Sequence, residues 1–304
     1  MTAQYVPPER IGFIGLGNMG GPMALRLAGA GFTLAVTDTV SAAVARLASQ
    51  VRCETPASLA ELGSCRVIIT MLPDGKAVRE VLLGHNGVAS ALAPGSVVID
   101  MSSSSPLGTR KLAQDLAARE ITLIDAPVSG GVRKAVDGSL AIMAGGDPQV
   151  IERCHRVLEV LGRVFPAGPS GAGHAMKALN NYLSAANLAI AAEAVIAGQR
   201  FGLEPEVMIS ILNASTGRNS ATDQKYPAYV LPRNFGSGFA MGLMAKDLRL
   251  ALEVAGASGA PSTLLKACAQ LWSAAEQRLG SRADNTEIVK YLEALPPAHP
   301  RPDE

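Results

Sequence analysis

Aromatic side chains are scarce in this chain of 304 residues, where phenylalanine, tryptophan and tyrosine together make up 4%. That scarcity argues against an aromatic-rich β fold, and the abundance of alanine, glycine, leucine and valine favours helices packed closely on a sheet. An excess of one charge is also lacking, because the formal net charge is +1. Such a balance gives no bulk attraction to nucleic acid or to an anionic membrane, so we predict neither partner.

Cysteines are few and show neither metal-ligand spacing nor a disulfide pattern, which predicts reduced thiols in a cytoplasmic protein. The N-terminal ten residues contain no apolar run, so no signal peptide is predicted. The longest apolar stretch, residues 183–198, includes Asn187 and Glu193 and is too short and too polar to span a bilayer. We predict a buried helix there, in a large domain or at a subunit interface, and therefore a homodimer or homotetramer. The cysteines are Cys53, Cys65, Cys154 and Cys268.

The first half of the chain alternates short β-like runs with helical stretches. This alternation predicts an α/β domain with a doubly wound, mostly parallel sheet and right-handed crossovers. The strands are nearly continuous apolar runs, as expected for a sheet covered on both faces. The predicted strands are residues 10–14, 33–37, 66–70, 96–100, 121–124 and 140–143.

The pattern changes at residues 166–173, which are rich in proline, glycine and serine. No convincing strand follows, so we predict an all-α second domain with a long leading helix. The predicted domains are residues 1–166 and 167–304, and the Pro-rich tail after Leu295 is expected to be disordered. The predicted helical stretches are residues 174–201, 204–213, 243–257, 262–279 and 284–294.

A glycine motif directly follows the first predicted strand and precedes a helix. Gly15-Leu16-Gly17-Asn18-Met19-Gly20 has the form G-x-G-x-x-G, and this context indicates a Rossmann-type dinucleotide-binding domain. The first glycine allows a tight turn, the second lets the backbone approach a pyrophosphate, and the third lets the helix pack on the strand. The N-terminus of the helix then offers N–H groups to the phosphates.

Asp38 ends the second predicted strand, 18 residues after Gly20. A carboxylate at this place accepts hydrogen bonds from the adenosine ribose hydroxyls and repels the 2′-phosphate of NADP. No arginine follows at once, so NAD is predicted in preference to NADP. The alternative is that Asp38 caps the next helix.

Two other strands end in polar or turn-forming residues. Ligands of such sheets gather at the carboxyl ends of the strands. Leu72, Pro73, Ser102 and Ser103 are therefore candidates to line the nicotinamide side, with ordinary loops as the alternative.

Three further segments hold candidate substrate-binding groups. Ser129 precedes Gly130-Gly131, whose backbone N–H groups and the serine hydroxyl would make a carboxylate cradle. Lys177 and Asn181 are four residues apart and share one face of the long predicted helix. A late Lys246-Asp247-Leu248 opens another helical stretch.

These motifs, in this order and at this spacing, resemble the β-hydroxyacid dehydrogenases, in particular the 3-hydroxyisobutyrate dehydrogenase type. The resemblance covers about residues 10–292. It implies the NAD-dependent oxidation of a small β-hydroxy acid to its semialdehyde or keto acid, or the reverse reduction. No metal is implied.

The resemblance also implies roles for single residues. Ser129, Gly130 and Gly131 would hold the substrate carboxylate, and Lys177 would be the catalytic acid/base. Asn181 would orient substrate and lysine, and Lys246 would lie near both the nicotinamide ribose and the substrate, with Asp247 in support. The residues implied to contact NAD on the nicotinamide side are Leu72, Pro73 and Ser103.

A lysine suits this chemistry, because hydride leaves a carbon while the attached hydroxyl loses its proton. A lysine that is desolvated or near another cation has a lowered pKa and can accept that proton near neutral pH. The NAD⁺ ring and Lys246 are both candidates to act on Lys177 in this way. His174 is a second candidate base, but a pocket-wall or satisfied polar residue is favoured there.

Selectivity is left open by the sequence. Arg218, in the segment 215–220, would bind a second carboxylate or a sulfonate, or lie on the surface, and Arg133 and Lys134 pose the same question. Tartronate semialdehyde, 3-hydroxypropionate, L-serine, threonate and sulfolactaldehyde types all remain candidate substrates.

The competing interpretations are an imine reductase, a phosphogluconate-type oxidative decarboxylase and a catalytically silent NAD-binding scaffold. The presence of Lys177 argues against the imine reductase and against the silent scaffold.

Overall fold

The computed structural model describes residues 4–296, and the chain divides between Lys177 and Ala178 into two compact units. The predicted domain boundary near residue 166 stays a prediction. The predicted disordered tail beyond Pro296 lies outside the described residues.

The first unit is built on one mixed sheet, in the order β2-β1-β3-β4-β5-β7-β6, with β8 paired to β7. Strands β2, β1, β3, β4 and β5 are parallel, as predicted. Strand β7 runs antiparallel to β5 and β6 and parallel to β8. The strands are β1 (Arg10–Ile14), β2 (Thr33–Thr37), β3 (Val67–Thr70), β4 (Val97–Asp100), β5 (Thr122–Asp125), β6 (Val128–Ser129), β7 (Leu140–Gly145) and β8 (Gly162–Gly168).

Successive side chains of a strand point to opposite faces of the sheet. Because the side chains on both faces of this sheet are apolar, helices cover both faces. Ile69 and Ile99 belong to one apolar cluster, and Ile68 and Val98 belong to another. The first-unit helices are α1 (Gly20–Gly29), α2 (Ser41–Ala48), α3 (Gly75–Leu83), α4 (Pro106–Ala117), α5 (Gly131–Asp137), α6 (Pro148–Arg153) and α7 (His155–Glu159), with 3₁₀ turns at Leu59–Ser64 and Val88–Ser90.

The second unit is helical, as predicted, and packs around the fully buried Trp272 and Leu248. In its described part, to residue 296, the only β pairing is an isolated bridge between Ala240 and Asp284. Its first helix, α8, begins within the first unit. The elements are α8 (Ala172–Phe201), α9 (Pro205–Ala214), a π-helix (Ala221–Val230), α10 (Met241–Ser258), α11 (Thr263–Leu279), a 3₁₀ turn (Asn285–Glu287) and α12 (Ile288–Glu293).

The structure contains strands that the sequence analysis did not predict. Strand β8 was not predicted, because it contains Pro166 and a mostly exposed set of side chains. In the apolar stretch 183–198, Leu183 is 58% and Ile190 56% exposed in the single chain, so of the two predicted settings burial within one domain is incomplete and a subunit interface stays a prediction. None of the helices described between residues 4 and 296 has the length and apolar character that crossing a membrane requires. The homo-oligomer stays a prediction.

Candidate active site

The glycine motif forms the turn between β1 and α1. Gly15 has φ +99°, a conformation that side chains disfavour, and its N–H donates to the carbonyl of Thr37 at the end of β2. A Cβ on Gly15 would lie 2.3 Å from the carbonyl oxygen of Met71, which follows β3. The turn is thus held against the carboxyl ends of both neighbouring strands.

The other two glycines of the motif have opposite surroundings. A Cβ on Gly20 would lie 1.9 Å from the carbonyl oxygen of Gly15, so α1 can begin this close to β1 only without a side chain. Gly17 is exposed, and a Cβ there would meet nothing within 4 Å. The helix begins at Gly20, and in its first turn the N–H groups of Gly21 and Met23 donate to the carbonyls of Gly17 and Met19. The open space at Gly17 lies beside the N-terminus of a helix, where the helix dipole favours an anion such as a pyrophosphate.

The carboxylate of Asp38 lies beside this turn. Its Oδ2 accepts a hydrogen bond of 2.6 Å from the N–H of Leu16, and its Oδ1 accepts one of 2.7 Å from the N–H of Val40. Helix α2 begins at Ser41 and receives no side-chain cap from Asp38. The alternative prediction, a helix N-cap, is therefore wrong, and the acid is fixed at the motif instead.

The predicted nicotinamide-side segments also meet at this edge of the sheet. A Cβ on Gly15 would lie 2.9 Å from Cδ2 of Leu72. The N–H of Leu72 donates to Oγ of Ser102 over 2.9 Å, which joins the end of β3 to the end of β4. The Ser102 N–H in turn donates to Oδ1 of buried Asp100. Pro73 and Ser103 follow directly in the same two loops.

His174, at the start of α8, is a satisfied buried side chain rather than an exposed base. Its Nδ1 lies 2.8 Å from Oγ1 of Thr109, and its Nε2 lies 3.2 Å from the carbonyl oxygen of Ser102. Because a carbonyl oxygen only accepts, Nε2 carries the proton of that hydrogen bond. The ring is thereby tied to the loop after β4 and to α4, as the sequence favoured.

Buried Asp125, at the end of β5, anchors the first turn of α8. Its two carboxylate oxygens accept hydrogen bonds from the N–H groups of Gly171, over 2.8 Å, and His174, over 2.9 Å. Burial raises the pKa of the Asp125 carboxyl, and the His174 ring and these N–H groups oppose that shift. Since Lys177 follows three residues later, Asp125 helps to fix the position of the helical turn that contains it.

Ser129, Gly130 and Gly131 lie between β6 and α5. Gly130 has φ +138° and Gly131 has φ +68°, and α5 begins at Gly131. A Cβ on Gly130 would lie 2.5 Å from Cδ of Lys134. Both glycines are therefore required by the backbone here, and both are exposed, as a cradle of N–H groups for an anion requires.

Helix α8 continues without interruption through Lys177 and Asn181, as predicted. In the second unit, Nδ2 of buried Asn181 donates to Oδ2 of Asp247 over 2.5 Å. Oδ1 of Asp247 lies 3.3 Å from Nζ of Lys246. The structure thus brings together Asn181 and the Lys246-Asp247 pair, which are 65 and 66 residues apart in the sequence.

The cations that the sequence left undecided lie on the surface. Arg218 is 61% exposed and pairs with Asp223 over 3.0 Å, and Arg133 and Lys134 are exposed on α5. A lysine that the sequence analysis did not single out, Lys225 in the π-helix, is instead only partly exposed. No sequence signal marked it, because the segment around it matched no predicted helix or strand.

Comparison with known proteins identifies the class. Residues 10–168 match the family model for the NAD-binding domain of 6-phosphogluconate dehydrogenase, and residues 171–292 match the family model described as NAD-binding of NADP-dependent 3-hydroxyisobutyrate dehydrogenase. Together with the glycine turn, these matches define an NAD(P)-dependent hydroxyacid dehydrogenase that acts on CH–OH groups.

Individual relatives agree with the family models. The chain is 38% identical to a 2-(hydroxymethyl)glutarate dehydrogenase of Eubacterium barkeri, with 94% of this chain and 95% of the relative covered. It is 40% identical to a 3-hydroxyisobutyrate dehydrogenase of Pseudomonas aeruginosa, covering 84% and 88%. A Mycobacterium tuberculosis 3-hydroxyisobutyrate dehydrogenase, solved with L-serine, superposes with a TM-score of 0.86 at 31% identity, covering 94% and 99%. The chain belongs to the 3-hydroxyisobutyrate dehydrogenase family of β-hydroxyacid dehydrogenases.

Proposed function

We propose that this enzyme uses NAD to oxidise a small β-hydroxy acid to its semialdehyde, or catalyses the reverse reduction, with Lys177 as the acid/base. The observation that carries the proposal is the hydrogen bond from Asn181 to Asp247, whose carboxylate also pairs with Lys246. It fixes the amide of Asn181 on the helix that also contains Lys177, one turn away. A lysine and an oriented amide at this spacing suit the transfer of a hydroxyl proton.

The remaining residues take the following roles in this proposal. Ser129, Gly130 and Gly131 bind the substrate carboxylate, and Lys177 takes the hydroxyl proton and stabilises the carbonyl oxygen. Asn181 orients the hydroxyl, and Lys246 contacts both the substrate and the nicotinamide ribose. When bound, the nicotinamide supplies the hydride acceptor. The residues proposed to hold the cofactor are Gly15, Leu16, Gly17, Asn18, Met19, Gly20, Asp38, Leu72, Pro73, Ser103 and Lys246.

The choice of NAD over NADP rests on Asp38. Its two oxygens are already held by the N–H groups of Leu16 and Val40, so the negative charge is fixed beside the turn. We expect Asp38→Asn, which retains one acceptor oxygen and removes the charge, to lower the preference in kcat/KM for NAD over NADP by about tenfold, or 1.4 kcal/mol. Kinetics with each cofactor at one fixed substrate measures this ratio. An unchanged preference would show that Asp38 does not discriminate between the cofactors.

The function is tested by a substrate panel followed by NADH absorbance. The panel contains 3-hydroxyisobutyrate, 3-hydroxypropionate, L-serine and 2-(hydroxymethyl)glutarate. All except 3-hydroxypropionate are the compounds after which related dehydrogenases are named. We expect turnover of at least one with NAD. If none reacts while NAD still binds, the proposal fails and an imine substrate or a silent scaffold takes its place.

A further inference from the structure

Lys225 is a partly exposed lysine in the π-helix Ala221–Val230 of the second unit. Its helix is fixed at the N-terminus by Asn219, whose Oδ1 accepts hydrogen bonds from the N–H groups of Ala221 and Thr222. The carbonyl of Thr222 also accepts a hydrogen bond from Nδ2 of Asn213 on α9. These contacts hold in place the turn that presents Lys225. π-Helices are rare and occur frequently at functional sites.

The ammonium of Lys225 has little compensation for its burial. Its contact with Oγ of Ser184 is long, at 3.5 Å, and no carboxylate among the described residues 4–296 lies within 4.0 Å of it. Burial lowers the pKa of the Lys225 ammonium to about 8, and Asp284 opposes this shift from a greater distance. The group is therefore still protonated at neutral pH, and a buried charge in this state is stabilised by an anion.

The position of Lys225 connects it with the proposed substrate residues of the same unit. Ser184 and Asn181 are three residues apart on α8, so their side chains are neighbours on one side of that helix. Lys225 contacts Ser184 from the π-helix, while Asp247 on α10 accepts a hydrogen bond from Asn181 and pairs with Lys246. Lys225 thus contacts α8 one helical turn from Asn181, and the carboxylate of Asp247 is already engaged by Asn181 and Lys246.

We propose that Lys225 is a specificity-determining residue that binds a second anionic group on the substrate, so that the enzyme prefers a β-hydroxy acid with an additional carboxylate on its side chain. This inference rests on the proposed function, since it assumes that Asn181 binds the reacting end of the substrate. Arg218, the candidate from the sequence, is less suited, because it is exposed and already paired with Asp223.

A structural role alone explains the arrangement less well. A lysine retained for stability has a carboxylate partner or a solvated ammonium, whereas Lys225 is only partly exposed and has no carboxylate of residues 4–296 within 4.0 Å. Truncating one partner of a desolvated ion pair is costly, because the other charge remains buried without a counter-charge. In this proposal the second carboxylate of the substrate is the partner of Lys225. For substrates without that carboxylate, Lys225 should not raise kcat/KM.

The experiment compares three substrates that share the group HOCH₂–CH–COO⁻ and differ in the side chain. These are 3-hydroxyisobutyrate, with a methyl group, 2-(hydroxymethyl)pentanoate, with a propyl group, and 2-(hydroxymethyl)glutarate, with a carboxyethyl group. In the wild-type enzyme we expect kcat/KM to be highest for the glutarate and at least about tenfold higher than for the propyl compound, or 1.4 kcal/mol. A wild type that favours the uncharged propyl compound would overturn the inference without any variant.

The variant Lys225→Met keeps the length of the side chain and removes its charge. We expect the ratio of kcat/KM between the glutarate and the propyl compound to fall by at least about tenfold. Lys225→Gln serves in its place if the methionine variant does not fold. The matched control is Lys266→Met, an exposed lysine on α11, which should leave the ratio unaltered. An unaltered ratio in the Lys225 variant would refute the inference, whereas silence of the wild type on all three compounds would instead refute the proposed function.

Discussion

Replacement of Lys177 by alanine should lower kcat by about 10²–10⁴-fold, the usual contribution of a general acid/base. The reason is that no other group in the proposal can take the hydroxyl proton: the ring of His174 is buried and bonded on both nitrogens. The dissociation constant of NAD should stay nearly the same, because the glycine turn and Asp38 are elsewhere in the first unit. Steady-state kinetics and fluorescence titration with NAD measure the two effects separately.

The variant Lys177→Arg distinguishes proton transfer from simple charge. Arginine keeps the positive charge but does not lose its proton at any ordinary pH. If Lys177 acts as an acid/base, the arginine variant should be as inactive as the alanine variant. An arginine variant with near wild-type kcat would refute the acid/base role, and full activity of the alanine variant would refute any catalytic role for Lys177.

Most of the first unit could be predicted from sequence because its signals are local. Strands β1 and β2 are largely runs of adjacent apolar residues, and the glycine motif is recognised from its six positions together with the strand before it and the helix after it. The structure explains the motif further. Gly15 and Gly20 are required by the close approach of backbone carbonyls, whereas a Cβ on Gly17 would meet no atom of residues 4–296 within 4 Å beyond its chain neighbours. Open space beside Gly17 is what we expect of a glycine that faces a ligand.

Features that depend on contacts distant in sequence could not be predicted. The antiparallel β7 and the mostly exposed β8 contain no pattern that sets strand direction, since direction is fixed by pairing. The contact of Asn181 with Asp247 joins residues 66 positions apart, and only the resemblance suggested that they act together. The π-helix contains Pro227, which a sequence pattern treats as the end of a helix.

Lys225 shows the same limit for function. In the sequence, Arg218 was the more prominent cation of its segment, because arginine suits carboxylate binding. In the structure Lys225 is the better candidate for binding a ligand. Arg218 pairs with Asp223 at the surface, whereas Lys225 contacts Ser184 on α8. Exposure and existing partners, which no sequence pattern gives, decide which of two nearby cations can receive a ligand.

Substitution of Gly20 by alanine should destabilise the first unit by about 3 kcal/mol and weaken NAD binding. The added Cβ would lie 1.9 Å from the carbonyl oxygen of Gly15 and 3.2 Å from the ring of Phe13. The first obstacle is backbone in the turn itself, so the turn must open or α1 must move away from β1. Urea unfolding measures the loss of stability, and titration measures the affinity for NAD.

Gly29→Ala is the matched control, because it adds the same methyl group to the same helix. Gly29 is exposed at the last position of α1, and a Cβ there would meet nothing within 4 Å. Alanine has the higher helix propensity, so this variant should be as stable as the wild type or more stable by up to about 1 kcal/mol. If Gly20→Ala lowers the free energy of unfolding and Gly29→Ala does not, glycine is required at position 20 by the lack of space at the turn and not by backbone freedom. A Gly20→Ala protein as stable as the control would show that the turn can yield, and the packing role of this glycine would be wrong.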